Sequence, residues 1–530
     1  MSSELANILD LNLAWKRAKR DTTRNRVFIK HPYEIVLIEQ DLEYWLTTIH
    51  SSIEKANFSP SPAPICEIPK PRSGIRPGSH VCMRDRVIYA ACIDAIYPSI
   101  YNNLKWSQGT IDFNYQLLPP EKKGSSWFKS KFAWKDFNDD TKRKIDKGYE
   151  YIIVADICGY YENINLEILL CELQDSSAQK EIVTLMRKCL MKWADQNSGK
   201  GIPQGYSASD ILGKLYLNYI DYHLFEEGIV HTRWVDDFRI FCKSLSQARQ
   251  TVMFLTGLLR ERGLNLQSAK TEICRSDKVL IKIDAVEDKL KPLVELYTKK
   301  ALSLVANEED PYMPMYRIDK VFRSHQEEAP IQAIREAFKI NFIDSLEDGD
   351  FDKSTFRFLL KRFGAIKDEF AVDYCRNILI TQPQETETIL EYFRVIDGYT
   401  LVEKTITDFL SSENCIYNYQ IYQIIEWICS LSVQPSNQIL NLVRQFLWGQ
   451  SIRPLYLRSV CWNFIDKYGS KYDLERAKNS YPSASDHSEQ CDMICAMRRL
   501  YKQRKDDFFR RIDTTSDMHS RAIKYANKVE

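Results

Sequence analysis

The chain has 530 residues, 44% hydrophobic and 27% charged, a size that predicts two to four globular domains rather than one core. Its 73 basic and 72 acidic residues leave a net charge of +1, which excludes a global polycation, so any nucleic-acid binding must use local basic stripes. No apolar run approaches ~20 residues, so no membrane span or membrane partner is expected. Met1-Ser2-Ser3-Glu4 lacks the charged and apolar stretches of a secretory signal, so a cytoplasmic protein is expected. The fourteen cysteines form no framework and read as buried small hydrophobes of a reducing compartment. Cys491 and Cys495 lie near His487, but core packing accounts for them without a metal.

Residues 1–60 read mostly helical. Trp15-Lys16-Arg17-Ala18-Lys19-Arg20, followed by Arg24 and Arg26, is basic and partly amphipathic. It suits a solvated helix face or phosphate contacts by Lys16, Arg17, Lys19 and Arg20. Glu39 to Glu54 continues as a helix with Leu42, Trp45, Leu46 and Ile49 on one face. Ser59-Pro60-Ser61-Pro62-Ala63-Pro64 breaks it. Ile65 to Pro77 then reads as a hairpin with a Gly-containing turn, carrying Lys70, Arg72 and Arg76. Such a finger suits a triphosphate, to which Arg offers bidentate contacts and Lys a point charge. A solvated basic hairpin is the other reading. Met83-Arg84-Asp85-Arg86-Val87-Ile88 opens a helix to about Ile96.

Residues 106–148 are irregular and interleave Trp127, Phe128, Lys129, Lys131, Phe132, Trp134 and Lys135. That pattern suits single-stranded bases stacked beside a neutralised backbone, or an insertion packed on the domain through its aromatics. Tyr151 to Ala155 is a strand-like run ending in Asp156. A turn through Tyr160 and Tyr161 leads into a helical stretch to about Asp195. Gly201-Ile202-Pro203-Gln204-Gly205-Tyr206-Ser207-Ala208-Ser209-Asp210 is a loop feeding a helix from Ile211 to Phe225. Arg233 to Phe241 sets Asp236 and Asp237 at or near the turn of a β-hairpin. Ser246 to Arg262 is a helix with Ser246 as its N-cap. Gly263-Leu264-Asn265-Leu266 leads to Lys270-Thr271-Glu272. This order predicts an α+β layer, helices behind an antiparallel sheet.

From about Leu290 no strand pattern persists. Helices are expected near 353–364, 368–380, 386–397, 402–412, 417–431, 437–448, 454–468 and 486–504. In the fifth of these, Ile421, Ile424, Ile425, Ile428 and Leu431 give one-face spacing. Such a run suggests helical hairpins stacked like a solenoid, or a compact bundle; no fixed-period sequence repeat is visible. The tail from Arg498 to Arg511 is basic and aromatic.

Asp156 and Asp236, 80 residues apart, each end a strand-like run. Two such strands can set their carboxylates side by side to hold paired divalent metals, as phosphoryl transfer requires. Pro69-Lys70-Pro71, Gly74-Ile75-Arg76-Pro77 and Arg84-Asp85-Arg86-Val87 resemble the fingers motifs of reverse transcriptases. Asp156 with Tyr160 and Tyr161, Gly201–Gly205 with Ser209, Trp234-Val235-Asp236-Asp237, and Gly263-Leu264-Asn265 with Lys270-Thr271 resemble their motifs A to D in order. The resemblance covers roughly residues 60–285. It implies an α+β right-hand polymerase (fingers and palm) followed by an all-α, helical-repeat-like C-terminal domain. The expected divisions are 1–60 an N-terminal helical extension, 61–145 fingers, 146–285 palm and 286–530 the C-terminal α-helical domain.

The resemblance implies an RNA-directed DNA polymerase with a two-metal Mg²⁺ site on Asp156 and Asp236, supported by Asp237. Lys70 and Arg76 would meet the dNTP triphosphate, and Gln204 and Gly205 would border template and nucleotide. Tyr161 matches the steric gate that excludes a ribose 2′-hydroxyl. Lys270 is the candidate general acid for pyrophosphate, or an ordinary solvated lysine. Trp234 stands where Tyr, Phe or Ala is usual, and Asp210 where intron and retron enzymes tend to have Pro. Retron-type motifs, a Cys-rich endonuclease tail and an RNase H domain are not seen. The combination resembles the bacterial abortive-infection and defence-associated reverse transcriptases; the ninth class of that group is one placement it allows. Several carry helical-repeat domains, and some oligomerise, prime on a tyrosine, and copy a partner noncoding RNA or no template. The implied partners are therefore dNTPs, RNA, the DNA product and further copies of the chain. Among 29 tyrosines, Tyr33, Tyr44, Tyr501 and Tyr525 lie in terminal regions, but none is singled out for priming. A mobile-element or repair enzyme with conventional priming is a second reading. A catalytically silent RNA-binding scaffold is a third, and the clustered carboxylates argue against it.

Overall fold

The computed structural model describes residues 2–283 except 25, 72–73, 123, 130–132, 177–178 and 195–197, together with 292, 295–296, 331–343, 351–396, 398–514 and 516–528. Arg72, Lys131, Phe132 and Asp195 fall outside the described residues. The chain divides into two compact units: Met1–Cys66 with Pro77–Ile283, and Glu67–Arg76 with Asp284–Glu530.

The first unit begins with α1 (Ser2–Ile8), α2 (Leu11–Thr23), α3 (Glu34–Ile38) and α4 (Leu42–Glu54). Asp10 caps α2 through the Leu13 amide, and Asp41 caps α4 through the Tyr44 amide. Trp45, Leu46, Ile49 and Ile53 give α4 its buried face, so its expected apolar stripe is the packed one. A two-stranded ribbon, β1 (Ile65–Pro69) and β2 (Ile75–Ser79), precedes the long α5 (Met83–Leu104), which is buried along most of its length. After an irregular stretch come α6 (Trp134–Asp146), β3 (Tyr151–Ala155), α7 (Tyr160–Asn163), α8 (Leu166–Ser176), α9 (Lys180–Trp193) and α10 (Ser207–Glu226). β4 (His231–Trp234), β5 (Asp237–Cys242), α11 (Leu245–Glu261), β6 (Glu272–Arg275) and α12 (Ser276–Ile283) complete the unit. The N-cap of α11 is Ser244, which accepts from the Gln247 amide, and not the expected Ser246.

Four strands form an antiparallel sheet in the order β4-β5-β3-β6. Neighbouring Ile152 and Ile153 are both fully buried, so central β3 is covered on both faces, as its unbroken apolar run requires. Ile152 packs with Phe241, Cys274 and Val279, joining β3, β5, β6 and α12 in one cluster.

The described elements of the second unit beyond the ribbon are helical. Residues 331–342 are helical, and eleven further α-helices run from Lys353–Ala365 to Asp517–Lys528. Lys471–Ser480 and Asp517–Lys528 were not legible in the sequence. Packing skips a neighbour: Thr386–Val395 lies on Lys353–Ala365, Leu455–Tyr468 on Asn418–Ser430, and Asp517–Lys528 on His487–Ala496. This is the arrangement of stacked helical hairpins. A ladder of ion pairs ties the layers, in Arg335–Asp368, Arg357–Glu385, Arg444–Asp473, Arg458–Glu489 and Arg498–Asp466, with partners 28 to 33 residues apart. The acids of the last four are buried.

Asp473 shows what one rung contributes. It receives two bonds of 2.7 Å from Arg444 and forms a capping box with Ser470. Burial works to raise its pKa, but the Arg444 and Ser470 hydrogen bonds outweigh burial and hold it below the usual value. A carboxylate held low stabilises fully above its unfolded pKa of about 4 and loses that contribution as pH falls through the lower folded value. Asp473→Ala is therefore expected to cost about 2 kcal/mol in urea unfolding at pH 7, and less at pH 3. An equal cost at both pH values would count against the charged cap.

Candidate active site

The sheet register builds the site. Ala155 lies opposite Phe238, so the next pair along the ladder is Asp156 with Asp237. Val235 and Asp236 form the two-residue turn between β4 and β5, with Trp234 paired to Asp237. Val235 has φ +58°, a conformation that costs a β-branched residue. The buried Arg233 guanidinium donates to the Val235 carbonyl at 2.6 Å, and its other nitrogens grip Asp221 at 2.7 to 3.2 Å and Asp112 at 3.0 Å. Lys214 also binds Asp112, and His231 Nε2 lies 3.4 Å from Asp221. Burial works to raise Asp221, but the Arg233 charge prevails and lowers it to about 2. A buried charge network thus holds the strained turn from beneath.

Trp234 has a packing role. Its ring meets Trp134 edge-on at 5.0 Å and Phe137 at 5.9 Å, both on α6. Arg239 lies over Phe137 at 4.1 Å and donates to Asn138 and Thr141. Trp127 is buried, with its indole N–H on Asp94 at 2.7 Å. Of the two readings of residues 106–148, packing through aromatics is thus the observed one for Trp127 and Phe128, both buried, and for Trp134 on Trp234.

Desolvation first, then the charges of Asp236 and Asp156, push the Asp237 carboxyl up to about 7. Lys270 donates to Asp156 Oδ2 at 2.6 Å; burial works to lower its pKa, but the Asp156 contact prevails and raises it, keeping the ammonium protonated. The Gln267 amide also bonds the Asp156 carbonyl at 2.7 Å, fixing the loop that carries Lys270. Among the described residues, no group of three or more His, Cys, Asp or Glu side chains is already arranged as a metal cage. The donor set nevertheless fits hard divalent cations: it is all carboxylate oxygen, and the charges of Asp236 and Asp156 add to desolvation in raising Asp237.

Tyr161, on α7, donates its hydroxyl to Asp210 at 2.9 Å. Asp210 also pairs with Arg26, whose guanidinium lies over Tyr115 at 4.9 Å and Phe128 at 5.3 Å. Burial raises Asp210 to about 6 against the pull of Arg26. Gly205 has φ +90°, and a Cβ there would stand 2.9 Å from the Arg26 carbonyl, so the backbone itself demands glycine. Gln204 is half-buried beside it. Lys70 and Arg76 belong to the ribbon, where the Lys70 amide bonds the Gly74 carbonyl across the turn at 2.7 Å.

The N-terminal basic stretch is no continuous stripe. Arg17 is buried, 3.0 Å from Asp94 and over the Trp127 ring, so its charge is consumed inside the unit; this corrects its expected phosphate contact. Lys19 pairs with Glu39 and Arg20 reaches Ser125, whereas Lys16 is exposed. Sequence reasoning missed Asp112, Lys214 and Asp221. For Lys214 and Asp221 the signal was two charges seven residues apart on a helix, α10, that also carries an apolar run, whereas Asp112, in the irregular stretch before α6, gave none.

Residues 68–303 match the family described as reverse transcriptase (RNA-dependent DNA polymerase). The chain thus carries a reverse transcriptase domain, of the RNA-directed DNA polymerase class. Protein YkfC of Escherichia coli K12 is 20% identical over 195 residues, 36% of this chain and 48% of that protein, so the chain spans about half the length of this relative. Among solved structures, telomerase from Candida albicans with a fragment of telomeric RNA aligns over 74% of this chain and 71% of that one, at 14% identity and a TM-score of 0.30. Apo telomerase from Candida tropicalis aligns over 70% and 69%, at 13% identity and a TM-score of 0.31. No helix among the described residues is long and apolar enough to cross a membrane.

Proposed function

We propose that the whole chain is a magnesium-dependent reverse transcriptase that polymerises dNTPs, acting in the cytoplasm in antiphage defence. The observation that carries the polymerase reading is the convergence of Asp156, Asp236 and Asp237 at the adjoining ends of β3 and β5. Asp156 and Asp236 are the residues that would hold the cations, and Asp237 supports them. When bound, the cations supply charge stabilisation to the transferring phosphoryl group and its leaving pyrophosphate. Lys270, kept protonated, offers an N–H to that leaving group. Tyr161 walls the sugar site, Gln204 and Gly205 border template and nucleotide, and Lys70 and Arg76 offer cations of the right chemistry for a triphosphate. The fingers (61–145) and palm (146–285) divisions belong to this reading.

The defence role, protein priming, a dedicated noncoding RNA and assembly into homo-oligomers rest on the resemblance, with the stacked helices of the second unit as its structural companion. Of the terminal tyrosines, Tyr33 is buried while Tyr44 and Tyr501 are exposed, which leaves the latter two open to such chemistry.

Purified protein given Mg²⁺, dNTPs and its co-purified RNA is expected to make DNA, and chelation by EDTA is expected to stop it. Sequencing the RNA and the DNA identifies the template. Product that migrates free of protein after denaturation would rule out priming on a tyrosine, and absence of any product would sink the polymerase reading.

A further inference from the structure

Asp210 departs from the residue usual after this motif, and the structure gives that departure a partner. Tyr161 lies five residues after Asp156 and shares a cavity lining with Val235, the neighbour of Asp236, and on the polymerase reading its ring walls the sugar site. The ring lines a small cavity with Tyr115, Tyr160, Asp210, Lys214 and Val235, with room for about one water. Tyr160 lies over Gly213 and donates to its carbonyl, and a Cβ on Gly213 would stand 3.4 Å from the Tyr160 ring and 3.5 Å from the Tyr161 ring. The Tyr161 ring is half-buried, so packing alone does not fix its outer end. What ties it forward is the 2.9 Å bond from its hydroxyl to Asp210, itself buried and anchored by Arg26.

We infer that Asp210 and Arg26 form a latch on Tyr161, positioning residues that hold its ring against the sugar and thereby set the preference for deoxyribonucleotides over ribonucleotides. The inference rests on the polymerase reading and adds to it a mechanism of substrate choice. A half-buried ring held by packing alone is a soft wall; a ring bonded through its hydroxyl to a buried, ion-paired carboxylate is a fixed one. Phenylalanine has the same ring and is the wrong residue here, because it cannot be latched. Asparagine at position 210 keeps an acceptor for the hydroxyl but loses the charge that engages Arg26.

The test is the ratio of kcat/KM for dATP to that for ATP on a primed RNA template. Tyr161→Phe removes one oxygen and leaves the Asp210–Arg26 pair intact, so its folding is not at risk. It is expected to lower the ratio roughly 10- to 100-fold, the worth of a hydrogen bond to a charged group, chiefly through a lower KM for ATP. Asp210→Ala is expected to match it, and Asp210→Asn to recover part of the preference. A ratio unchanged in Tyr161→Phe and lowered only in Tyr161→Ala would overturn the latch and leave the ring as the whole gate. Unaltered protein that incorporates neither nucleotide would overturn the polymerase reading itself, and the latch with it.

Discussion

Asp236→Asn is expected to lower DNA synthesis by about 10³-fold or more while leaving the protein as stable as before, or slightly more stable. The two halves of that result have one cause. Asp236, Asp156 and Asp237 crowd negative charge at the ends of β3 and β5, and the charge on Asp236 helps push Asp237 up to about 7. Replacing one carboxylate by a neutral amide relieves repulsion in the protein alone. The same change removes a charged oxygen ligand, and charge stabilisation of a transferring phosphoryl group is worth several kcal/mol, at a tenfold in rate per 1.36 kcal/mol. Primer extension read beside thermal unfolding checks both halves. Activity within about tenfold of the unaltered chain would remove Asp236 from the site. A large fall in melting temperature would mean that its role is structural.

The second large effect lies beneath the turn. Arg233→Met is expected to destabilise the first unit by roughly 3–5 kcal/mol, the usual cost of breaking a buried ion pair by removing one partner. Asp221 would keep His231 and the charge of Lys214 nearby, and Asp112 its pair with Lys214. The Val235 carbonyl would lose its 2.6 Å donor, although the backbone there is already strained. Under conditions where the variant stays folded, kcat is expected to fall about 100-fold, the scale of a misplacement near 1 Å. Arg233→Lys restores charge without the forked geometry and should recover stability more than rate. Denaturant unfolding and single-turnover kinetics separate the two. A variant with normal kcat would show that the turn holds itself.

Much of this arrangement was legible in the chain. An unbroken apolar run ending in Asp156 located β3, and apolar and aromatic residues flanking an Asp pair located the β4–β5 hairpin, because buried strands write that preference into sequence. The helices between Lys353 and Tyr468 were legible from an apolar period of about 3.6. The buried network was not, because a lysine or aspartate in a helix reads as a solvent face until its partners arrive from elsewhere. Asp112, Lys214 and Asp221 come together only when the irregular stretch before α6 folds back beside α10 and β4. Trp234 was opaque for a similar reason: the rings it needs, Trp134 and Phe137, lie about a hundred residues earlier. Arg17 misled because a cation among cations looks like a stripe, while Asp94 and Trp127, which enclose it, lie far along the chain.

The ladder of the second unit has a kinetic consequence. Each rung closes a loop of only 28 to 33 residues, so its entropic cost is modest, and one layer can settle before the next has been made. The clustered carboxylates of the first unit obey a different schedule. Asp156 and Asp236 are 80 residues apart, and β3 gains its second neighbour only when Glu272–Arg275 arrives. The geometry of the proposed site therefore depends on distant pairing that must form as a whole, whereas the helical layers can assemble one after another, in the order in which a ribosome delivers them.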